Sequence, residues 1–281
     1  MSSGAVAQSR LQTVLEHPDE TLVGIDFDGT LAPIVADPDQ AQAEPRAVAA
    51  LARLGTLLGT VAIITGRPAR TAVRLGGFRG VAGLGHLVVL GQYGVERWDA
   101  ETDEFVIPPD PGQVAALEEE IPPLLDRLGQ GGARVEHKGR AVVVHTRQLP
   151  DPEKSFSTLS DPLSDLAERH GMVVEPGKNV LEIRSPGVDK GIALRDIVAE
   201  TGARQVVFIG DDLGDLPAFR VVDELRNEGL GGLLVCSGSH EEDALSALAD
   251  VVVQGPDGVA SWLEELADQL EARRAAHDSA P

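Results

Sequence analysis

The sequence predicts an α/β fold, a doubly wound parallel sheet that carries a smaller inserted α+β domain. Short apolar runs alternate with amphipathic segments of helical period, which is typical of βαβ units. Two of these runs end in polar turns, at Asp26-Phe-Asp-Gly-Thr30 and at Thr65-Gly-Arg67. Between residues 108 and 185 the order changes to helix, hairpin, helix, hairpin. This change predicts that the sheet domain is interrupted by a separate unit.

Residues 1–107 form the first part of the predicted sheet domain. A short helix around Leu11 to Glu16 precedes a first core strand over Leu22 to Ile25. Residues 32–44 are polar and broken by proline, so they predict a loop. The segments that follow are predicted as a helix over 46–58, a strand over 59–64, a strand over 87–90 and an acidic, proline-containing linker over 99–111.

The rest of the chain completes the insertion and returns to the sheet. The inserted domain, 108–185, is predicted to contain helices over 113–128 and 163–170, two strands within 133–147 around a turn at Lys138-Gly139, and strands over 172–174 and 180–183. The second part of the sheet domain, 186–281, is predicted to contain a helix over 190–200, strands over 205–209, 233–236 and 251–253, and a closing helix over 261–274.

Composition limits the partners and the compartment. The 281 residues include 24 basic and 45 acidic side chains, a net charge of −21, which disfavours nucleic acid and anionic membranes as partners. Cys236 is the only cysteine, so no internal disulfide can form and a reducing compartment fits. Neither a signal peptide nor an apolar run of about 18 residues is visible. We therefore expect a cytoplasmic monomer that acts on a small molecule.

Polar side chains at strand ends or before a helix suggest one composite site. Taken singly, each has an ordinary explanation as a turn, a helix cap or a solvated lysine. Together, carboxylates, a hydroxyl and an ammonium group suit metal-assisted phosphoryl transfer, in which a carboxylate attacks, Mg²⁺ offsets the meeting anions and a second carboxylate moves protons. The residues are Asp26, Asp28, Thr65, Lys190, Asp211, Asp212 and Asp215.

Their order resembles a known superfamily. Asp26-Phe-Asp-Gly-Thr30 is similar to the D-x-D-x-T signature of haloacid dehalogenase phosphatases, and Thr65, Lys190 and Gly210-Asp-Asp-x-x-Asp215 match its later motifs. The resemblance implies a Rossmann-like core with an inserted cap. It further implies that Asp26 is the nucleophile and that Asp28 is the general acid and base. By the same resemblance, Thr65 and Lys190 hold phosphoryl oxygens, and Asp215 supports the site. Mg²⁺ is then implied to be bound by Asp26, the Asp28 carbonyl and Asp211.

Finer details resemble the trehalose-6-phosphate phosphatase family. They include Asp26-Phe-Asp-Gly-Thr-Leu-Ala-Pro33, Val135-Glu-His-Lys138 and Gly177-Lys-Asn-Val-Leu-Glu-Ile-Arg184. Gln92-Tyr-Gly-Val-Glu96 departs from the Asn-His-Gly-x-Glu usual there. The resemblance implies hydrolysis of trehalose 6-phosphate to trehalose and phosphate, the final step of trehalose biosynthesis. Besides Asp26 and Asp28, the substrate-binding candidates are Gly66, Arg67, Lys138, His145, Arg147, Lys178 and Glu182.

Three alternatives stay open at this stage. A phosphatase of the same superfamily could act on sucrose phosphate, mannosyl-phosphoglycerate or a hexose phosphate. A catalytically silent regulatory module would be expected to lack Asp26 or Asp28, and both are present. A phosphomutase would need a phosphate donor and a second sugar-phosphate position, which nothing in the sequence demands.

Overall fold

The structure is a computed structural model that describes residues 3–109, 112–177, 179–238 and 243–278. The chain forms two compact units. The core unit comprises Met1–Ile107 and Asp189–Pro281, and the inserted unit comprises Pro108–Val188. No helix in the described ranges is both long and apolar enough to cross a membrane.

Helices and strands alternate through the core unit. The helices, in chain order over both units, are α1 (Ser3–Glu16), α2 (Pro45–Leu54), α3 (Ala69–Gly76), α4 (Gln113–Arg127), α5 (Pro152–Arg169), α6 (Lys190–Thr201), α7 (Leu216–Asn227), α8 (Asp243–Leu248) and α9 (Gly255–Asp278). The strands are β1 (Thr21–Ile25), β2 (Thr60–Ile64), β3 (Leu87–Gly91), β4 (Glu96–Asp99), β5 (Glu104–Val106), β6 (Arg134–His137), β7 (Ala141–His145), β8 (Val173–Gly177), β9 (Val180–Arg184), β10 (Gln205–Gly210), β11 (Gly231–Gly238) and β12 (Val251–Gln254).

Eight strands form the core sheet in the order β12-β11-β10-β1-β2-β3-β4-β5. Neighbours from β12 to β3 are parallel, and β4 and β5 are added antiparallel at one edge. Strand β1 is buried along its whole length. Val23 and Ile25 pack in an apolar cluster with α2, α3 and α9, while Leu22 packs with α6 and α7 on the other face. Because side chains alternate along a strand, helices cover both faces, which confirms the predicted fold class.

The inserted unit has its own sheet and core. Its four antiparallel strands lie in the order β6-β7-β9-β8. Val142, Val144 and Ile183 pack with apolar residues of α4 and α5 in one buried cluster. Strand register places Glu136, Val143 and Glu182 side by side. These residues alternate with the apolar ones, so the sheet's second face is largely polar.

Several elements differ from the sequence predictions; among them, helix α1 begins at Ser3 rather than near Leu11, and helix α8 was not predicted. The predicted linker over 99–111 is wrong in its first part, because residues 96–99 and 104–106 form the β4–β5 hairpin; residues 110 and 111 lie outside the described ranges. The second helix of the inserted unit begins at Pro152 rather than near 163. Helix α7, which was not predicted, begins directly after Asp215.

Candidate active site

The core sheet brings the ends of β1, β2 and β10 together at one edge. Ile25 lies beside Ile63 of β2 and Ile209 of β10, so the residues after these strands become neighbours. The Asp26 amide continues the ladder by donating to the Ile209 carbonyl at 2.9 Å. Parallel topology thus places Asp26, Thr65 and Asp211 at the carboxyl edge of the sheet, where open α/β sheets bind ligands.

Three carboxylates form a buried cluster at this edge. Asp26, Asp211 and Asp215 each offer an oxygen within 4.8 Å of the others. The approach of the Asp26 turn to Asp211 requires Gly29, whose φ is +79° and where a Cβ would lie 2.0 Å from an Asp211 oxygen. Thr30 donates its hydroxyl hydrogen bond to Asp211 at 3.2 Å. The D-x-D-G-T pattern therefore brings three features to Asp211: the carboxylate of Asp26, a turn without a side chain at Gly29, and the hydroxyl donor of Thr30.

Lys190 is the cation of this cluster. Its Nζ lies 2.5 Å from Asp26 Oδ1 and 2.8 Å from Asp215 Oδ1. The other Asp215 oxygen accepts hydrogen bonds from the Asp211 amide at 2.9 Å and the Asp212 amide at 3.3 Å. Burial alone would lower the pKa of Lys190, but Asp215 and Asp26 outweigh it and raise that pKa well above its usual value. Lys190 is therefore a fixed positive charge at the nucleophile candidate.

The acidic groups of the cluster are disfavoured as anions. Burial raises the pKa of Asp26 to about 8, although Lys190 acts against it. Burial, together with the charge on Asp26, raises the pKa of Asp211 to about 10. Such carboxylates become stable anions when a cation lies among them, and oxygen donors of this type suit Mg²⁺. The donor set thus fits a divalent metal held by Asp26 and Asp211.

The side chain of Asp28 pairs with Arg67. The guanidinium donates from Nε and from one terminal nitrogen to the two Asp28 oxygens, at 2.6 Å each. The guanidinium carbon also lies 5.6 Å from the centre of the Phe27 ring. This two-point contact fixes the plane of the carboxylate. Arg67, predicted as a substrate ligand, is thus also the partner of the predicted acid and base.

Thr65 and Gly66 form a tight loop between β2 and α3. Thr65 Oγ1 accepts a hydrogen bond from the Arg67 amide at 3.1 Å. A Cβ at Gly66 would lie 2.6 Å from the Tyr93 hydroxyl, so a side chain at this position would have to displace the Tyr93 ring. The predicted core residues are therefore brought to one edge of one unit, with Gly66 and Arg67 directly after Thr65.

In the inserted unit, the candidates Lys138, His145 and Glu182 lie on or beside the polar face of the sheet. Lys138 Nζ is 3.7 Å from Glu182 Oε2, and His145 Nε2 is 2.7 Å from Glu136 Oε2. Arg147 follows β7 in a turn, and Lys178 lies outside the described residues. Sequence reasoning missed Glu136, Glu175 and Arg184. Each of them alternates with apolar residues of its own strand, β6, β8 or β9, and this period of two is the signal that places it on this face.

Comparisons with known proteins identify relatives of this chain. The family model described as trehalose-phosphatase matches residues 24–252. The chain is 33% identical to the trehalose-6-phosphate phosphatase of Escherichia coli, over 89% of this chain and 87% of that protein. It is 30% identical to the trehalose-phosphate phosphatase of Mycobacterium leprae over 88% of this chain, but spans only 58% of that relative's length.

Solved structures share the fold. The C-terminal domain of Candida albicans trehalose-6-phosphate phosphatase matches with a TM-score of 0.75 and 22% identity, covering 93% of this chain and 96% of that one. A trehalose-6-phosphate phosphatase of Aspergillus fumigatus matches with a TM-score of 0.65 and 24% identity, covering 93% and 97%. At these identities the likeness concerns the fold alone.

Proposed function

The chain belongs to the trehalose-phosphatase family, and from this premise we propose that it hydrolyses trehalose 6-phosphate to trehalose and phosphate. The observation that carries the proposal is the buried contact of Lys190 with Asp26, 2.5 Å long, inside a cluster of three carboxylates. A nucleophile, a fixed cation and oxygen donors of the type that bind metals thus lie together at the carboxyl edge of the core sheet. This is the set of groups that stepwise hydrolysis of a phosphate monoester needs.

In the proposed first step, an Asp26 oxygen attacks phosphorus and the bond from phosphorus to the sugar oxygen breaks. Asp28 gives a proton to the departing sugar oxygen, which leaves as the alcohol. In the second step, Asp28 takes a proton from water, whose oxygen attacks the aspartyl-phosphate and releases phosphate and the free Asp26 carboxylate. Mg²⁺, held by Asp26, Asp211 and the Asp28 carbonyl, would supply positive charge against the anions that meet in both steps.

The remaining core residues position these groups. Lys190 touches Asp26 directly and would also neutralise a phosphoryl oxygen. Asp215 holds Lys190 and the Asp211 amide at once, so it links the cation to the second acidic motif. Arg67 holds both Asp28 oxygens, so this ion pair has to open before Asp28 can give a proton to the leaving oxygen or take one from water.

The inserted unit is the proposed source of sugar recognition. Its polar face carries Lys138 and Glu182 as an ion pair, and His145 and Glu136 as a hydrogen-bonded pair. Carboxylates and cations are the groups that recognise sugar hydroxyls, because each can form several directional hydrogen bonds. Arg147 and Lys178 remain proposed ligands of the same kind. Placement in the final step of trehalose biosynthesis follows from this substrate, while monomeric state and cytoplasmic location stay predictions.

A panel of sugar phosphates tests the substrate. Phosphate release would be measured with trehalose 6-phosphate, sucrose phosphate, mannosyl-phosphoglycerate and glucose 6-phosphate. We expect kcat/KM for trehalose 6-phosphate to exceed each of the others by at least about tenfold, because polar groups that miss their partners lower transition-state binding. Equal or faster turnover of another ester would contradict the assignment.

A variant pair links this preference to the inserted unit. Glu182→Gln should lower kcat/KM for trehalose 6-phosphate while leaving the hydrolysis of a small aryl phosphate unchanged. The exposed Glu153→Gln in α5 is the matched control and should change neither. Equal loss on both substrates in Glu182→Gln would place this residue outside sugar recognition.

A further inference from the structure

The segment Gln92–Glu96 braces the loop that carries Thr65. The Tyr93 amide donates to the Thr65 carbonyl at 3.0 Å, and the Gln92 amide donates to the Arg67 carbonyl at 2.9 Å. Between them, the Gly66 carbonyl accepts from Gln92 Nε2 at 3.0 Å. Three successive carbonyls of one loop are therefore held by two consecutive residues.

The middle peptide group, between Gly66 and Arg67, connects Gln92 with the Thr65 hydroxyl. Its carbonyl accepts from Gln92 Nε2, and its N–H donates to Thr65 Oγ1 at 3.1 Å. The C=O and N–H of a trans peptide lie in one plane and point in opposite directions, so fixing one fixes the other. Because Oγ1 already accepts the Arg67 hydrogen, the single hydroxyl proton of Thr65 is directed to another acceptor.

The brace is built into a costly backbone conformation. Gln92 and Tyr93 have φ values of 49° and 59°, in the left-handed region that residues other than glycine rarely adopt. The two segments also approach closely: a Cβ at Gly91 would lie 2.3 Å from the Ala69 nitrogen. Conformations of this cost persist where surrounding contacts determine them and are concentrated at functional sites.

We infer that Gln92 is a positioning residue for phosphoryl transfer, which directs the Thr65 hydroxyl toward a phosphoryl oxygen through the Gly66–Arg67 peptide group. The inference rests on the proposed function, in which Thr65 binds that oxygen. The Gln92 N–H also polarises the peptide group, which strengthens the Arg67 N–H as a donor to Oγ1. The side-chain amide of Gln92 would thus orient Thr65, within the segment Gln92–Glu96 that departs from the Asn-His-Gly-x-Glu pattern usual in the family.

Gln92→Met tests this role, because methionine keeps the unbranched shape and removes the donor. We expect kcat to fall about 10-fold to 100-fold with KM within about threefold, since an interaction made mainly in the transition state is weakened. Thr21→Val is the matched control. It removes another hydrogen bond of a buried side chain, from Thr21 Oγ1 to the His17 carbonyl at 2.7 Å, at the opposite end of β1, and should leave kcat unchanged.

A double-mutant cycle with Thr65→Val separates positioning from general destabilisation. If Gln92 acts through Thr65, the double variant should have a kcat within about twofold of Thr65→Val alone. Losses that multiply would overturn the inference, as would a Gln92→Met variant with unchanged kcat. All four proteins are assayed on the ester that the parent hydrolyses fastest. Failure of the parent on trehalose 6-phosphate would then reject the substrate, while the cycle still reports on Gln92.

Discussion

Asp26→Asn is expected to lower phosphate release by at least about 10⁴-fold while the protein stays folded. The amide has nearly the shape of the carboxylate but is a poor nucleophile toward phosphorus. Folding should survive because the amide fits the same space and Lys190 keeps its contact with Asp215 at 2.8 Å. The variant therefore separates the chemistry of Asp26 from its packing.

Kinetics and thermal unfolding, both measured on purified protein, check this expectation. The exposed Asp161→Asn in α5 is the control and should match the parent in both measurements. An Asp26→Asn variant that kept more than about one hundredth of the parent activity would rule out a covalent role for this residue. A large fall in its unfolding temperature would show that Asp26 is needed for the fold.

Lys190→Met should reduce both activity and stability. Lys190 is 5% exposed and contacts Asp26 and Asp215, so its removal leaves carboxylates without their buried counter-charge. Breaking such a pair by deleting one partner typically costs about 3–5 kcal/mol. We expect kcat to fall at least about 10³-fold, because a fixed cation at the reacting group is lost as well.

Urea unfolding of two further variants shows whether the loss is electrostatic. Lys154→Met, an exposed lysine in α5, should unfold like the parent. Combining Lys190→Met with Asp215→Asn should restore much of the stability, since one uncompensated carboxylate is removed, without restoring activity. If Lys190→Met were as stable as Lys154→Met, the cluster would not depend on this cation.

Most of the core fold was predictable because its strands are apolar runs with clear ends. The β4–β5 hairpin was not, since in these short strands at one side of the sheet Trp98 is the one buried apolar side chain and Phe105 is half-buried. Charged, short edge strands carry little periodicity. Helix α5 was predicted too short because Pro162 lies inside it, where a proline usually marks a boundary.

The candidate site shows the same division. Asp26, Thr65 and Asp211 follow parallel strands, so topology alone brings them together. The pairing of Asp28 with Arg67 depends on side-chain conformation, and the pairing of Gln92 with Gly66 depends on two left-handed residues. Neither contact follows from spacing along the chain, and both bear on how the predicted groups are oriented.

Trapping the phosphorylated protein tests the central claim most directly. The parent enzyme would be mixed with trehalose 6-phosphate, quenched rapidly in acid, digested and analysed by mass spectrometry, with Asp26→Asn treated in the same way. The proposed mechanism predicts one added phosphoryl group on the parent peptide that contains Asp26, and none in the variant. Steady turnover with no phosphorylated peptide, or with the phosphoryl group on another residue, would contradict it.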